Sequence, residues 1–143
     1  MSTLNHGDLT DYFRINNIFN FHRNIFPHIR KDYIERNLNE GNVIFEDNVV
    51  IIYKKYQKKT KLGNVYAFKD NYILHQIATT YRDGRASKIF KIFLNELDNK
   101  LYLTVRKNNH RAISFYLKNS MIQIGDISWK NNTIPGCVFL YNS

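Results

Sequence analysis

The stretch Tyr72-Ile73-Leu74-His75-Gln76-Ile77-Ala78-Thr79-Thr80-Tyr81-Arg82-Asp83-Gly84-Arg85-Ala86-Ser87-Lys88-Ile89-Phe90 decides how this chain is read. The β-branched and apolar residues of Tyr72 to Thr79 predict a central strand. From Ala86 to about Leu97, the residues Ile89, Phe90, Ile92, Phe93 and Leu97 form a broad apolar face at helical spacing. Between strand and helix lies a turn carrying Gly84. A strand that feeds a Gly-x-small turn into a helix N-terminus makes an anion site, because first-turn N–H groups lack intrahelical acceptors and the helix dipole favours negative charge. Gly84 lets a backbone approach a ligand closely. Ala86 keeps the helix entry uncrowded, Ser87 adds a hydroxyl, and Arg82, Arg85 and Lys88 add positive charge. The turn is neither a P-loop, which needs Gly-x-x-x-x-Gly-Lys-Ser/Thr, nor the three-glycine dinucleotide fingerprint. The pattern points to a phosphorylated ligand.

Outward from this stretch, strands and helices alternate. Leu101 to Val105 reads as a strand and Arg111 to Lys118 as a short helix. Gln123 to Trp129 and Ile134 to Tyr141 read as a hairpin around the turn-favouring pair Asn131-Asn132. Towards the N-terminus, Asp8 caps a predicted helix running to about Phe19. Pro27 suits the first turn of a second helix, with Ile29, Tyr33, Ile34 and Leu38 on one face and Gly41 as its left-handed stop. Asn42 to Glu46, the turn Asp47-Asn48 and Val49 to Tyr56 predict a strand pair. Five lysines between Lys54 and Lys61 read as a strand end and a solvated hairpin tip, or as a contact for an anionic partner. Val65 to Phe68 either continues into the next strand or is interrupted by Lys69-Asp70-Asn71. The expected fold is α/β (α+β): a mixed, mostly antiparallel central sheet of six to seven strands flanked by about four helices.

With 143 residues the chain is expected to be one domain, spanning 1–143. No apolar run approaches the roughly 18 residues of a membrane span. Met1 to His6 lacks the basic-then-apolar order of a signal peptide, so a cytoplasmic location is expected. The single cysteine, Cys137, lies in an apolar run and reads as a buried core residue in a reducing compartment. The five histidines are scattered and no Cys/His spacing fits zinc, so no metal is expected. A net charge of +9 favours anionic partners: a phosphorylated cofactor, nucleic acid or an acidic protein.

Two segments together resemble a known family. The first is Gly84-Arg85-Ala86-Ser87-Lys88-Ile89-Phe90. The second is Val105-Arg106-Lys107-Asn108-Asn109-His110-Arg111-Ala112-Ile113-Ser114-Phe115-Tyr116-Leu117-Lys118-Asn119-Ser120-Met121. In order and spacing they resemble the pyrophosphate loop, Arg/Gln-x-x-Gly-x-Gly/Ala, and the later Asn-x-x-Ala-Ile-x-x-Tyr segment of the GNAT superfamily of acyl-CoA-dependent N-acyltransferases. The resemblance covers about the C-terminal half. Tyr81 stands where the family has Arg or Gln, with Arg82 one position later, and Asn119-Ser120-Met121 replaces a Leu-Gly-Phe-like ending.

The resemblance implies an acetyl-CoA-dependent N-acetyltransferase that joins donor and amine acceptor in a ternary complex. Backbone N–H groups of Gly84, Arg85, Ala86, Ser87 and Lys88 would hold the pyrophosphate. The strand edge Ile77, Ala78 and Thr79 would pair with the pantetheine arm, Asn109 would hydrogen-bond that arm, and Tyr116 would protonate the departing thiolate. Asn109 reads equally well as a helix N-cap. His75 is the candidate base, ahead of Glu35, Glu46 and His28. The N-terminal helices would wall the acceptor side, and a homodimer is implied by analogy alone. The competing readings are a degenerate fold of this type that binds nucleic acid or an acidic protein, and a base modifier resembling the phage Mom protein.

Overall fold

The computed structural model describes residues 3–142. Met1, Ser2 and Ser143, which belong to the expected domain and to the N-terminal reading, lie outside the described residues. The chain runs through a 3-10 turn (Leu9–Asp11), α1 (Tyr12–Phe21), α2 (Lys31–Asn39), β1 (Val43–Glu46), β2 (Val49–Lys55), β3 (Thr60–Leu62), β4 (Val65–Ala67), β5 (Tyr72–Thr79), α3 (Arg85–Glu96), β6 (Leu101–Arg106), α4 (His110–Lys118), β7 (Ile122–Trp129) and β8 (Ile134–Tyr141). Six strands form one sheet in the order β1-β2-β5-β6-β8-β7, and β3 and β4 form a separate two-stranded sheet. The β1–β2, β6–β8 and β7–β8 ladders are antiparallel, and β5–β6 is parallel. This is the expected mixed, mostly antiparallel sheet with four helices, plus an unforeseen small second sheet.

The described chain divides into two compact units. Among the described residues, the first comprises 3–53 and 75–96, the second 54–74 and 97–142.

In the first unit, alternation sets the core. Val43 and Phe45 of β1, Val50 and Ile52 of β2 and Ala78 of β5 share one cluster with Ile15, Ile18 and Phe19 of α1 and Ile34 and Leu38 of α2. α3 buries Ile89, Phe90, Phe93 and Leu94, and Tyr53 meets Phe93 edge-on at 5.0 Å between ring centres. Asp8 caps the 3-10 turn in a reciprocal capping box with Asp11, as a helix start there requires. The second helix begins later than Pro27 predicts. Pro27 lies in a turn, Ile29 is buried ahead of the helix, and α2 starts at Lys31. Residues 5–7 run along β1: Gly7 N–H donates to the Val43 carbonyl and Phe45 N–H to the Asn5 carbonyl, both at 2.9 Å.

In the second unit, the β3–β4 hairpin lies on one face of the strands. Leu62 and Ala67 cluster with Tyr102 and Val138, bordered by Ile124, Ile127 and Leu140. Alternate residues of β8, Cys137 and Phe139, are buried with the opposite orientation, and Phe139 meets Tyr116 of α4. The hairpin turn is Gly63-Asn64, so the lysine run precedes the tip instead of forming it. Asn64 pins this turn to β7: its N–H reaches the Asp126 carbonyl at 3.3 Å, and its Oδ1 accepts Asp126 N–H at 3.0 Å. Gly63 has φ +62°, and a Cβ there would collide with the Asp126 carbonyl. β7 also carries an irregularity between Gln123 and Gly125.

Candidate functional site

In the first unit, β5 delivers the chain to an exposed turn, Tyr81 to Gly84, and α3 starts at Arg85. Gly84 has φ +87°, and nothing lies within 4 Å of where its Cβ would be. The left-handed backbone explains the glycine, and the open space leaves its surface free for a ligand. Lys88 N–H closes a helical bond onto the Gly84 carbonyl at 3.2 Å, which places the Arg85 and Ala86 amides ahead of the helical ladder.

One of those amides is already satisfied. Arg85 N–H donates to Asp83 Oδ1 at 3.2 Å. The Arg85 guanidinium closes on the same carboxylate, with Nε 3.0 Å from Oδ1 and Nη2 2.9 Å from Oδ2. Its Nη1 donates to the carbonyl and carboxylate of Asp47 in the β1–β2 turn, at 3.0 and 3.2 Å. Hydrogen bonding by Arg85 holds the Asp83 carboxyl below its ordinary range and raises the guanidinium in return. Arg85 is therefore committed internally, while Arg82 and Lys88 form no salt bridge among the described residues.

Tyr81 packs against Arg85. The Arg85 guanidinium lies 3.6 Å from the centre of its ring, which stays 47% exposed. Where the family places Arg or Gln, this chain places a platform under Arg85.

β5 brings His75, Ile77 and Thr79 to one side and Gln76 and Ala78 to the other. His75 is exposed, Ile77 and Thr79 are half-buried, and Ala78 is buried. Gln76 hydrogen-bonds the Tyr33 hydroxyl of α2, whose pKa is raised mainly by burial. His75 thus belongs to the opposite side of the strand from Tyr33. The Thr79 carbonyl oxygen lies 2.8 Å from His22 Nε2, at the end of α1. Sequence reasoning missed His22, and its 57-residue separation from Thr79 left no local signal. The β5–β6 ladder has two registered pairs, Tyr72↔Leu101 and Ile73↔Tyr102, and none at Ile77, Ala78 or Thr79.

In the second unit, Asn109 caps α4, its Oδ1 accepting Ala112 N–H at 3.2 Å. The cap occupies the side-chain oxygen and leaves the Nδ2 amide as the group able to serve a ligand. Tyr116 is half-buried between Phe115 and Phe139, with ring centres at 5.6 and 6.1 Å. Desolvation drives its hydroxyl pKa far above the ordinary phenol value, so it remains a proton donor. After α4, Ser120 adopts φ +70° and Met121 N–H returns to the Tyr116 carbonyl at 3.1 Å. Ser120 thus makes the left-handed exit from α4, and Met121 beyond it is buried, 2% exposed.

Among the described residues, no group of three His, Cys, Asp or Glu side chains could hold a metal ion. No helix there is long and apolar enough to cross a membrane.

No protein-family profile matches the chain, and no curated sequence matches it. Solved structures do. An acetyltransferase of the GNAT family from Bacillus cereus is similar over 100% of this chain and 98% of its own, with a TM-score of 0.73 at 19% identity. Arabidopsis thaliana NAA60, solved with acetyl-CoA, is similar over 98% of both chains, with a TM-score of 0.70 at 14% identity. The ribosomal-protein-S18-alanine N-acetyltransferase of Escherichia coli is similar over 99% of this chain and 94% of its own, with a TM-score of 0.68 at 17% identity. The chain has the fold of the GNAT acetyltransferases.

Proposed function

We propose that this protein is an acetyl-CoA-dependent N-acetyltransferase and that residues 1–143 form a single domain of that kind. The observation that carries the reading is the β5–α3 connection. An open left-handed Gly84 precedes a twelve-residue helix, with Arg82 and Lys88 exposed beside its first turn. Such a turn suits a diphosphate, and here it occurs in a fold shared with acetyltransferases along the whole chain.

In this reading the N–H groups of Gly84, Arg85, Ala86 and Ser87 hold the pyrophosphate, and Arg82 and the Lys88 side chain add charge; the Lys88 N–H, expected to join them, is taken by the Gly84 carbonyl. Asp83 must yield the Arg85 amide when the ligand arrives. The Ile77, Ala78 and Thr79 edge receives the pantetheine arm, and the Asn109 Nδ2 amide donates to it. Acetyl-CoA supplies an activated acetyl thioester as cosubstrate. The acceptor nitrogen attacks the acetyl carbonyl, a C–N bond forms and the C–S bond breaks. Tyr116 gives its proton to the leaving sulfur, and His75, directly or through water, takes the proton that the amine sheds. One of the similar structures is an N-acetyltransferase named for a ribosomal-protein alanine, which makes peptides the first acceptors to try.

Calorimetric titration with acetyl-CoA and desulfo-CoA, alongside a Gly84→Glu variant, tests the reading. Micromolar binding that disappears in the folded variant is expected. No binding by the folded wild type overturns it.

A further inference from the structure

The β3–β4 hairpin has a second face that the core does not use. Leu62 and Ala67 point inward, and on the outward side Tyr66 and Phe68 are 45% and 54% exposed. Lys61 stands directly opposite Tyr66 in the ladder and so shares its face. The Lys59 ammonium lies 4.6 Å from the Tyr66 ring centre and 5.5 Å from that of Phe68. Residues 54–70 carry six lysines against Asp70 alone, more than half of the net charge of +9. Among the described residues, no carboxylate forms a salt bridge with Lys58, Lys59, Lys61 or Lys69. Lys55 differs, being placed over the Tyr72 ring and near the Asp98 carboxylate.

Lysines alone would read as a solvated edge. Two adjacent exposed rings on the same face do not help solubility, and nothing in the fold requires them. We propose that this hairpin face is a binding surface for single-stranded nucleic acid, with bases stacking on Tyr66 and Phe68 and phosphates meeting Lys58, Lys59, Lys61 and Lys69. Unstacked bases present flat π faces to aromatic side chains, and a single strand alternates them with charges, as this face alternates rings and ammonium groups. An acidic peptide would use the lysines and leave the rings without a partner. The surface lies outside the acetyl-CoA turn, so it stands or falls separately from the acetyltransferase reading.

Fluorescence anisotropy with labelled oligothymidylate and oligouridylate of about ten nucleotides tests it, the two probes distinguishing DNA from RNA. Polyglutamate of similar length is the third probe. The full chain is compared with Tyr66→Ala/Phe68→Ala and Lys59→Ala/Lys61→Ala, each checked by thermal melting. The aromatic pair is expected to weaken oligonucleotide binding at least about tenfold. The lysine pair is expected to lower the slope of log affinity against log salt by about 1.4. Undetectable binding to both oligonucleotides at about 50 mM salt overturns the proposal, as does affinity unchanged by losing both rings. Polyglutamate binding as tightly as the oligonucleotides would assign the face to an acidic chain and also overturn it. If the aromatic variant fails to fold, an unchanged salt slope in the lysine variant is sufficient to reject it.

Discussion

Asp83 accepts both the backbone N–H of Arg85, at 3.2 Å, and its guanidinium, at 2.9 to 3.2 Å, so the acid nearest the α3 N-terminus occupies the donors that an incoming phosphate would want. Asp83 is a competitor built into the turn. Replacing it with alanine is expected to tighten acetyl-CoA binding about two- to fivefold, with the gain shrinking as salt rises. Calorimetry at two ionic strengths measures it. Weaker binding in Asp83→Ala would mean that the carboxylate's main task is to shape the turn.

Tyr116→Phe is expected to leave acetyl-CoA affinity unchanged and to lower kcat about a hundredfold, the ordinary scale for loss of a positioned proton donor. Because burial raises the Tyr116 hydroxyl, it stays protonated throughout the working range, and any alkaline decline in wild-type activity has another source. Initial rates from the acceptor screen, set beside calorimetric affinities, separate the two effects. Equal kcat in the two proteins would remove Tyr116 from the chemistry.

Ser120 keeps a side chain at φ +70°, where glycine is at ease. Relief of the left-handed strain, less the extra freedom that glycine gains on unfolding, predicts that Ser120→Gly stabilises the protein by about 0.5–1 kcal/mol. Thermal melting should show a rise of about 2–4 °C. A fall would mean that the serine hydroxyl supports the α4 exit.

Tyr56 has a buried hydroxyl without a hydrogen-bond partner among the described residues, and burial pushes its pKa up to about 12. A raised folded pKa contributes stability that is complete below the unfolded value near 10 and is lost as pH climbs towards 12. Tyr33, Tyr53, Tyr102 and Tyr116 are shifted the same way, so the protein should weaken steeply above about pH 10. Tyr56→Phe is expected to gain about 0.5–1 kcal/mol at neutral pH and to flatten that alkaline loss by about 1 kcal/mol, after allowing for partial solvent exposure. Urea titrations at neutral and alkaline pH give both numbers. A neutral-pH loss would show that the hydroxyl is satisfied.

The elements with strong local signals were legible in the sequence. β5 and β8 follow their β-forming runs, and Asp47-Asn48 and Asn131-Asn132 take the left-handed angles that their residue types favour. The glycine turn before α3 and the Asn109 cap could be read for the same reason, since each is fixed within a few residues. What could not be read depends on distant partners. His22 meets Thr79 through packing of α1 beside β5, and Tyr81 gains meaning only once Arg85 folds over its ring. Pro27 suggested a helix start, but the buried Ile29 holds that segment as a turn and delays α2 to Lys31. The lysine run suggested a hairpin tip. The actual tip moved to Gly63-Asn64, because Leu62 and Ala67 anchor the hairpin and Asp126 grips its turn.

Both outer strands of the six-stranded sheet already carry non-strand chain along their margins. Residues 5–7 take the free edge of β1, and Asn64 takes both outward backbone groups of Asp126 on β7. An open margin is a template on which another copy can add a strand, and fibre growth begins that way. Here part of that template is taken up from within the same chain, and the irregularity at Gln123/Gly125 interrupts the second margin. Each margin of the sheet thus offers a further strand a shorter run of open backbone groups than its full length would.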